Sequence, residues 1–411
     1  MIVSFSFSNF KSIREEVTLS FEASKSRELE EFYVVRPTPK LRLLKVAAIY
    51  GANASGKSNV LLALEFLRQL TLSPASDKLQ PINFNQFAFT EAGDKGPSTF
   101  RLDFVERGVR YSYTVSVSHH QVLSEDLYFY QPKKAVLYSR VTDPADGSTS
   151  IQVGSKLQVA AEDLRLWQLT TLPNNSVLGS FLKTNIKIPE LEPVITWFQE
   201  RLTAPVWPKA DMSTFVSRLI RSNTIEKRAV VSLLEKADTN IRKLEFSKLR
   251  VDEPDNEFNL TFFHTVKMED GREATYGLPY AFQSAGTRRY YEYAGLLAYL
   301  LQEQRVVPID EIESSLHPEL LKHFLLLFLR NSKDSQLIFT THQRDLMRET
   351  DMLRNDIFHF TEKRPDGSTD LYSFTDFDPS VVRSDSSLYN AYKIGKLGAV
   401  PEPGDAYIPT E

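Results

Sequence analysis

Cysteine is absent from the 411 residues of this sequence. Disulfide bonds, iron–sulfur clusters and cysteine-ligated zinc are therefore excluded, and we expect any metal to be bound through oxygen. The sequence also lacks an apolar run of about 18 residues, so no segment is expected to span a bilayer. Its first residues, MIVSFSFSNFKS, lack the features of a secretory signal. These absences predict a cytoplasmic protein without a membrane partner.

A strong excess of charge of either sign is absent too. The formal net charge is -4, so a nucleic-acid partner such as DNA is possible only through a local basic patch. Two groups of residues could form one: Arg218, Arg221, Lys227 and Arg228, and Arg242, Lys243, Lys248 and Arg250. Such groups are also typical of a solvated helix face. Hydrophobic and charged fractions of 42% and 25% indicate a globular protein, and the length predicts two lobes or one lobe with a large insertion.

The most informative segment is GANASGKSN, residues 51–59. It matches the P-loop pattern, in which glycines let backbone amides close on phosphates, a lysine neutralises the terminal phosphates and a hydroxyl binds magnesium. An apolar strand-like run precedes it and a helical apolar stripe follows it, as the motif requires. A P-loop alone does not choose among kinases, GTPases and motor ATPases, and the motifs described below favour ATP. The predicted ATP-binding residues are Asn53, Ala54, Ser55, Gly56, Lys57, Ser58 and Asn59.

A pair of acidic residues ends a second apolar run, VVPIDE. Asp310, at the end of the predicted strand, is expected to bind Mg²⁺ together with Ser58. Glu311 is expected to orient and deprotonate the attacking water. Acidic residues are also common at strand ends and helix starts, so a purely structural role stays an alternative.

Hydrophobic periodicity predicts three parts of the chain. Residues 1–159 carry alternating strand patterns around the P-loop, residues 160–250 carry helical stripes interrupted by prolines, and residues 251–411 begin with a hairpin and continue with alternating helices and strands. Alternation of helices and strands is typical of a parallel sheet. The first and third parts are therefore expected to form one lobe, with residues 160–250 as a mainly helical insertion.

Two further motifs carry a resemblance to a known class. QSAGTRR precedes Asp310, and a strand ending in TTH follows it. The order of P-loop, signature loop, paired acids and histidine resembles the ATP-binding-cassette (ABC) class of ATPases. This resemblance implies an α/β P-loop NTPase of the ABC-ATPase head type, a mixed sheet with an antiparallel subdomain and a helical insertion.

The same resemblance implies roles for several residues. Ser284, Ala285 and Gly286 would contact, in trans, the nucleotide held by another copy, so the chain would work at least as a dimer. His342 would be a second catalytic residue that senses the γ-phosphate. The signature departs from the usual LSGGQ, with Ala285 and Thr287 at the places of the first glycine and the glutamine. Gln86 is the candidate for the glutamine that completes the magnesium site, and a structural role is the alternative.

Other segments resemble one branch of the class. The opening SFSFSNFKSIREEVTLSF, Asn59 and IDEIESSLHPELL look like the SMC and RecF branch. With YSYTVSVS, VLSEDLYFY and YKIGKLGAVP, the chain resembles short stand-alone ATPases of bacterial phage-defence systems, including the ATPase component of PARIS and the RloA and AbiL-like proteins. This implies control of a separately encoded effector, often a TOPRIM nuclease, since residues 343–411 are too few for a fused one. A RecF-like DNA-binding repair ATPase is the alternative.

Overall fold

The computed structural model describes residues 1–90, 96–237, 239–248, 258–378 and 388–401. They form two compact units. The first unit consists of the described residues within Met1–Val206, Arg305–Asp310 and Gln336–Glu411. The second consists of those within Trp207–Gln304 and Glu311–Ser335. The boundary between the units falls between Asp310, which is predicted to bind Mg²⁺, and Glu311, which is predicted to activate water.

A sheet of antiparallel strands forms one part of the first unit. Its described strands, in spatial order, are β10 (Thr149–Val153), β9 (Lys134–Thr142), β8 (Val122–Tyr130), β7 (Val109–Val117), β6 (Ser98–Glu106), β1 (Ile2–Ser8) and β2 (Val17–Ser20). Alternate residues of β1 and β6, such as Phe5, Phe7 and Phe100, are buried and stack on one another. The period of two in the sequence thus produces one core-facing side of the sheet.

A second sheet of the first unit is mostly parallel. Its described strands, in spatial order, are β14 (Val306–Ile309), β15 (Gln336–Thr340), β5 (Val46–Gly51), β16 (Phe358–Lys363) and the antiparallel edge strand β17 (Thr369–Ser373). Every residue of β5 is buried, as expected for a central strand with both faces covered. The carboxyl ends of β14, β15 and β5 therefore meet at one edge. A small ribbon of β3 (Val34–Thr38) and β4 (Leu41–Leu44) accompanies this sheet.

Helices of the first unit are mostly short. They are α1 (Glu30–Tyr33), α2 (Lys57–Leu72), α3 (Ala161–Thr170), α4 (Val177–Phe181), α5 (Glu192–Thr196), which continues as a π-helical turn over Trp197–Arg201, and α10 (Leu388–Lys393). Single 3₁₀ turns span Arg344–Arg348, Asn355–Ile357 and Phe374–Asp376. In α2, Val60, Leu61, Leu64 and Leu67 are buried, so the predicted apolar stripe faces the core.

A buried ion pair lies inside the antiparallel sheet. Glu125 of β8 and Arg140 of β9 approach to 3.6 Å, and neither side chain is exposed. Tyr113 and Tyr138 donate hydrogen bonds to Glu125, and so does the backbone nitrogen of Val177 at the start of α4. Burial raises the pKa of Glu125 and lowers the pKa of Arg140. The pair is stabilised by these extra partners, and it ties α4 to the sheet.

The second unit combines a small antiparallel sheet with helices. The described strands are β11 (Ile241–Lys248), β12 (Phe258–Lys267) and β13 (Glu273–Pro279), and the helices are α6 (Ser213–Arg221), α7 (Lys227–Lys236), α8 (Ala285–Gln302) and α9 (Pro318–Asn331), with a 3₁₀ turn over Tyr280–Phe282. Most of α8 is buried, and Tyr291 packs edge-on against Phe262 of β12. This helix begins directly after Ser284.

The α/β fold with a mixed sheet and an antiparallel subdomain is confirmed. The expected helical insertion, residues 160–250, contributes residues to both units and contains strand β11, and its boundaries stay a prediction. Strands β9, β10, β16 and β17 were not predicted either. Each helix in the described ranges is too short or too polar to span a bilayer.

Candidate active site

The P-loop connects β5 to α2, and its glycines are required by packing. A Cβ on Gly51 would collide with Ser55 Oγ and lie 2.6 Å from the carbonyl oxygen of Thr361. Gly56 has φ +109°, and a Cβ there would lie 2.7 Å from Thr369. Only glycine tolerates both the conformation and the contacts. Ala54 also adopts a positive φ of 60°, and the tip residues Asn53 and Ala54 are exposed.

A set of hydroxyl groups holds this loop in place. Ser55 Oγ lies 2.6 Å from Thr361 Oγ1, and Thr369 Oγ1 donates to the Ser55 carbonyl oxygen at 2.7 Å. On the other side, Asn59 Nδ2 donates to Ser12 Oγ at 2.7 Å, and Thr369 Oγ1 lies 2.8 Å from the same oxygen. The early turn at Ser12 and the strands β16 and β17 thus position the predicted phosphate-binding backbone.

The magnesium candidates lie together at the same sheet edge. Ser58 Oγ is 3.0 Å from both carboxylate oxygens of Asp310, and Thr340 Oγ1 donates to Asp310 Oδ1 at 2.6 Å. Asp310 is 6% exposed and Thr340 is fully buried. Lys57 Nζ donates to the carbonyl oxygens of Gly51 and Ala52, 3.0 Å away in each case. A hydroxyl and a carboxylate are the hard oxygen donors that Mg²⁺ prefers, so the residues present fit this ion.

Two other predicted residues belong to the first unit. His342 follows β15 and is exposed, while Thr341 before it is buried and donates its backbone N–H to Ile49 of β5. His342 therefore lies at the edge where β5 enters the P-loop. Gln86 is half-buried, and its amide nitrogen donates to the Gly96 carbonyl at 2.7 Å. This hydrogen bond links Gln86 to a neighbouring part of the same loop. A role of Gln86 in a magnesium site stays a prediction.

The predicted signature loop is the start of α8 in the second unit. Ser284 caps the helix, because its Oγ accepts the backbone N–H of Thr287 at 3.1 Å and lies 2.8 Å from Thr287 Oγ1. Ala285 and Gly286 form the first turn. A Cβ on Gly286 would meet Ser315 O at 3.4 Å, an ordinary contact, and the backbone of Gly286 is not in the left-handed region.

Glu311 begins the loop that returns toward this turn. It has a positive φ of 47°, an unusual conformation for a residue with a side chain. Tyr293 of α8 donates to the carbonyl oxygen of Ile312 at 3.1 Å, and Ser315, φ 63°, brings its carbonyl next to Gly286. The SSLHP loop, residues 314–318, and the SAG turn are therefore neighbours within the second unit. His317 caps α9, because its Nδ1 accepts the backbone N–H of Glu319.

Four contributing residues were not predicted: Ser12, Thr340, Thr361 and Thr369. Thr340 could have been found, because a hydroxyl at the end of a strand that pairs with the P-loop strand lies at the same edge. Ser12 ends the segment SNFKS, residues 8–12, but nothing in that segment indicates a contact with Asn59. Thr361 and Thr369 lie in strands that the sequence pattern did not reveal.

These features define a class of enzyme. A parallel sheet whose central strand enters a P-loop, with an acidic residue at the end of a neighbouring strand, is the nucleotide site of a P-loop ATPase. The chain belongs to the family described as "AAA domain, putative AbiEii toxin, Type IV TA system", whose model matches residues 46–348. The expected enzyme class, an ATP hydrolase of the P-loop type, is thereby confirmed.

One curated protein and two solved structures similar to this chain share 14–22% sequence identity with it. A Helicobacter pylori protein described as "ATP/GTP phosphatase" is 22% identical over 338 residues, which cover 77% of this chain and 85% of the relative. Among solved structures, an SMC head bound to the C-terminal winged-helix domain of ScpA covers 90% of this chain and 97% of its own, with 16% identity and a TM-score of 0.47. The SMC head domain from Thermotoga maritima covers 90% and 98%, with 14% identity and a TM-score of 0.42.

Proposed function

We propose that this chain is a magnesium-dependent cytoplasmic ATPase that closes, at least as a dimer, around ATP and controls a separate effector in defence against phage. One observation carries the dimer proposal. Gly286 is the second residue of α8, and a Cβ there would make only an ordinary contact with Ser315 O, so the packing of the described residues does not require glycine. A close approach from outside the chain explains why glycine stands there.

The first unit would bind the triphosphate. Backbone amides of residues 53–58 would surround the phosphates, and the ammonium group of Lys57 would move from the loop carbonyls to the terminal phosphate oxygens. Ser58 and Asp310 would hold Mg²⁺, with Thr340 fixing the carboxylate. The ion, when bound, neutralises charge on the phosphates.

Water activation would fall to Glu311 and His342. Glu311 would accept the proton of the attacking water, and His342 would hold that water in line. The positive φ of Glu311 supports a functional role, because residues in such conformations are concentrated at active sites.

The second unit would supply the signature. The hydroxyl group of Ser284, with the backbone of Ala285 and Gly286, would bind the γ-phosphate held by the partner copy. A helix of 18 residues starts at this turn, so its positive dipole end would face the phosphate. A single copy would then bind ATP without completing the site.

The effector would be a separately encoded nuclease of the TOPRIM type. Support comes from the resemblance of the SAGTRR, YSYTVSVS and YKIGKLGAVP segments to stand-alone defence ATPases. The description of the family as a putative AbiEii toxin of a type IV system agrees with a defence role. ATP-driven closure would hold or release this effector.

Paired variants test the ATPase and its assembly. Lys57→Ala should abolish ATP binding, because the phosphate charge is no longer neutralised. Glu311→Gln should bind ATP, lose hydrolysis and remain associated, which light scattering coupled to size exclusion would detect as a dimer or larger species with ATP and Mg²⁺. Wild-type hydrolysis by Glu311→Gln would disprove the role of Glu311, and a strictly monomeric Glu311→Gln protein at high concentration would disprove the trans site.

The effector is tested separately. A tagged chain purified from its native cells should bring down a nuclease, identified by mass spectrometry, and the amount should differ between the Lys57→Ala and Glu311→Gln variants. Recovery of a polymerase or recombinase instead would contradict the defence role and indicate repair.

A further inference from the structure

Two basic groups that are separate in the sequence meet in the second unit. Lys227 and Arg228 start helix α7, and Arg242 and Lys243 lie near the start of strand β11. Together they line a cavity of about 250 Å³, whose other lining residues are Val231, Ser232, Glu235 and Leu244. Lys227, Val231 and Glu235 recur at intervals of four, so one face of α7 forms a wall of the cavity.

Local backbone geometry explains why both residues of β11 reach this cavity. The pairing of β11 with β12 shifts register between Ile241 and Lys243, where an extra residue enters the strand. Such a bulge redirects side chains, and here Arg242 and Lys243 are both exposed although they are consecutive. Ile241 and Leu244 on either side are buried, which anchors the segment.

The charges in the cavity are only partly compensated. Glu235 lies 3.4 Å from Arg242, and Glu245 pairs with Lys243, whose ammonium group also sits over the ring of Phe263. Lys227 and Arg228 make no ion pair with any residue in the described part of the chain. The cavity therefore has an excess of positive charge in a chain whose net charge is -4.

We propose that this cavity binds a phosphate group of an anionic ligand, at a site separate from the P-loop. The planar guanidinium group of an arginine can donate two hydrogen bonds to two oxygens of one phosphate, and the ammonium groups of lysines add further positive charge. The cavity is smaller than the roughly 300–1,000 Å³ typical of sites that enclose a whole drug-sized ligand. It would therefore take the phosphate end of its ligand. That phosphate could belong to a free phosphorylated molecule or to a nucleic-acid backbone. This proposal does not depend on the hydrolysis or assembly proposed above.

The test uses the full-length chain carrying Lys57→Ala, so that the P-loop does not take up the probe. Binding of inorganic pyrophosphate is measured by calorimetry, and binding of fluorescein-labelled duplex and single-stranded DNA by anisotropy at several salt concentrations. The test variant adds Arg228→Gln and Arg242→Gln, both at exposed positions. Lys236→Gln is the matched control, since Lys236 is exposed on the same helix but does not line the cavity.

The outcomes separate the two sources. Pyrophosphate binding that falls about 10-fold or more in the double variant, but not in the control, supports a free phosphorylated ligand. Binding of DNA but not of pyrophosphate supports a nucleic-acid source. In that case the slope of log K against log salt concentration should become shallower in the double variant, by the amount expected for about two phosphate contacts. Absence of binding for every probe at low salt, or unchanged binding by a folded double variant, overturns the proposal. In the parent chain with Lys57, the ATPase rate without added ligand should be the same with and without the two arginines.

Discussion

The P-loop of the first unit and the predicted signature turn of the second differ in how tightly the chain packs around their glycines. Gly51 and Gly56 are enclosed by Ser55, Thr361 and Thr369, so the chain itself leaves no space for a side chain. Gly286 has space, and its nearest neighbour would be in ordinary contact with a Cβ. The surrounding residues therefore require glycine in the P-loop, whereas the described residues around the predicted signature turn leave room for a side chain at Gly286.

Gly56→Ala should have the largest effect. The new Cβ would lie 2.7 Å from Thr369, and alanine in a left-handed conformation costs about 1–2 kcal/mol before any overpacking. We expect a lowered melting temperature and an ATP affinity reduced about 100-fold, measured by thermal unfolding and nucleotide titration. Gly96→Ala is the control, because no atom of the described residues lies within 4 Å of a Cβ there. Normal ATP binding by Gly56→Ala would show that the loop can rearrange.

Gly286→Ala should separate function from folding. Its helix should be unchanged or stabilised by up to about 1 kcal/mol, because alanine is the better helix former. ATP binding to the single chain should persist, while steady-state hydrolysis falls about 10-fold. Gly295→Ala, in the same helix, is the contrasting variant: its Cβ would collide with Val216 and should lower the melting temperature. Full hydrolysis by Gly286→Ala would remove the reason for a trans contact.

Thr340→Val tests whether the Thr340 hydroxyl group positions the carboxylate of Asp310. The variant loses the 2.6 Å hydrogen bond to Asp310 and leaves the carboxylate less well positioned. We expect a loss of about 1–3 kcal/mol in stability and a higher Mg²⁺ concentration for half-maximal hydrolysis. Thr340→Ser keeps the hydroxyl and should restore the magnesium dependence. If the valine and serine variants behave alike, the hydroxyl does not position Asp310.

What the sequence predicts about this site depends on whether a local pattern encodes it. The P-loop was predictable because glycine, lysine and serine at fixed spacing reflect the backbone conformation itself, and Asp310 because an apolar run ends at it. Ser12 and Thr369 lie 357 positions apart and meet only through the tertiary fold, so no local pattern reports their contact. Strand β9 was missed for a related reason. Its buried Arg140 interrupts the apolar alternation, and only the fold supplies Glu125 as its partner.

Of these variants, Thr287→Val should have the smallest effect on stability and hydrolysis. It tests the contacts of the predicted signature turn in more detail. Thr287 Oγ1 lies 2.8 Å from Ser284 Oγ, at the position where the usual signature has glutamine. Valine removes this contact but keeps the backbone N–H that caps the helix, so stability should change by less than about 1 kcal/mol. If Ser284 contacts a partner's phosphate, its hydroxyl should lose orientation, and kcat should fall a few-fold with ATP binding unchanged. Thr287→Ser should restore kcat. A change in stability without a change in kcat would mean that Thr287 only caps α8.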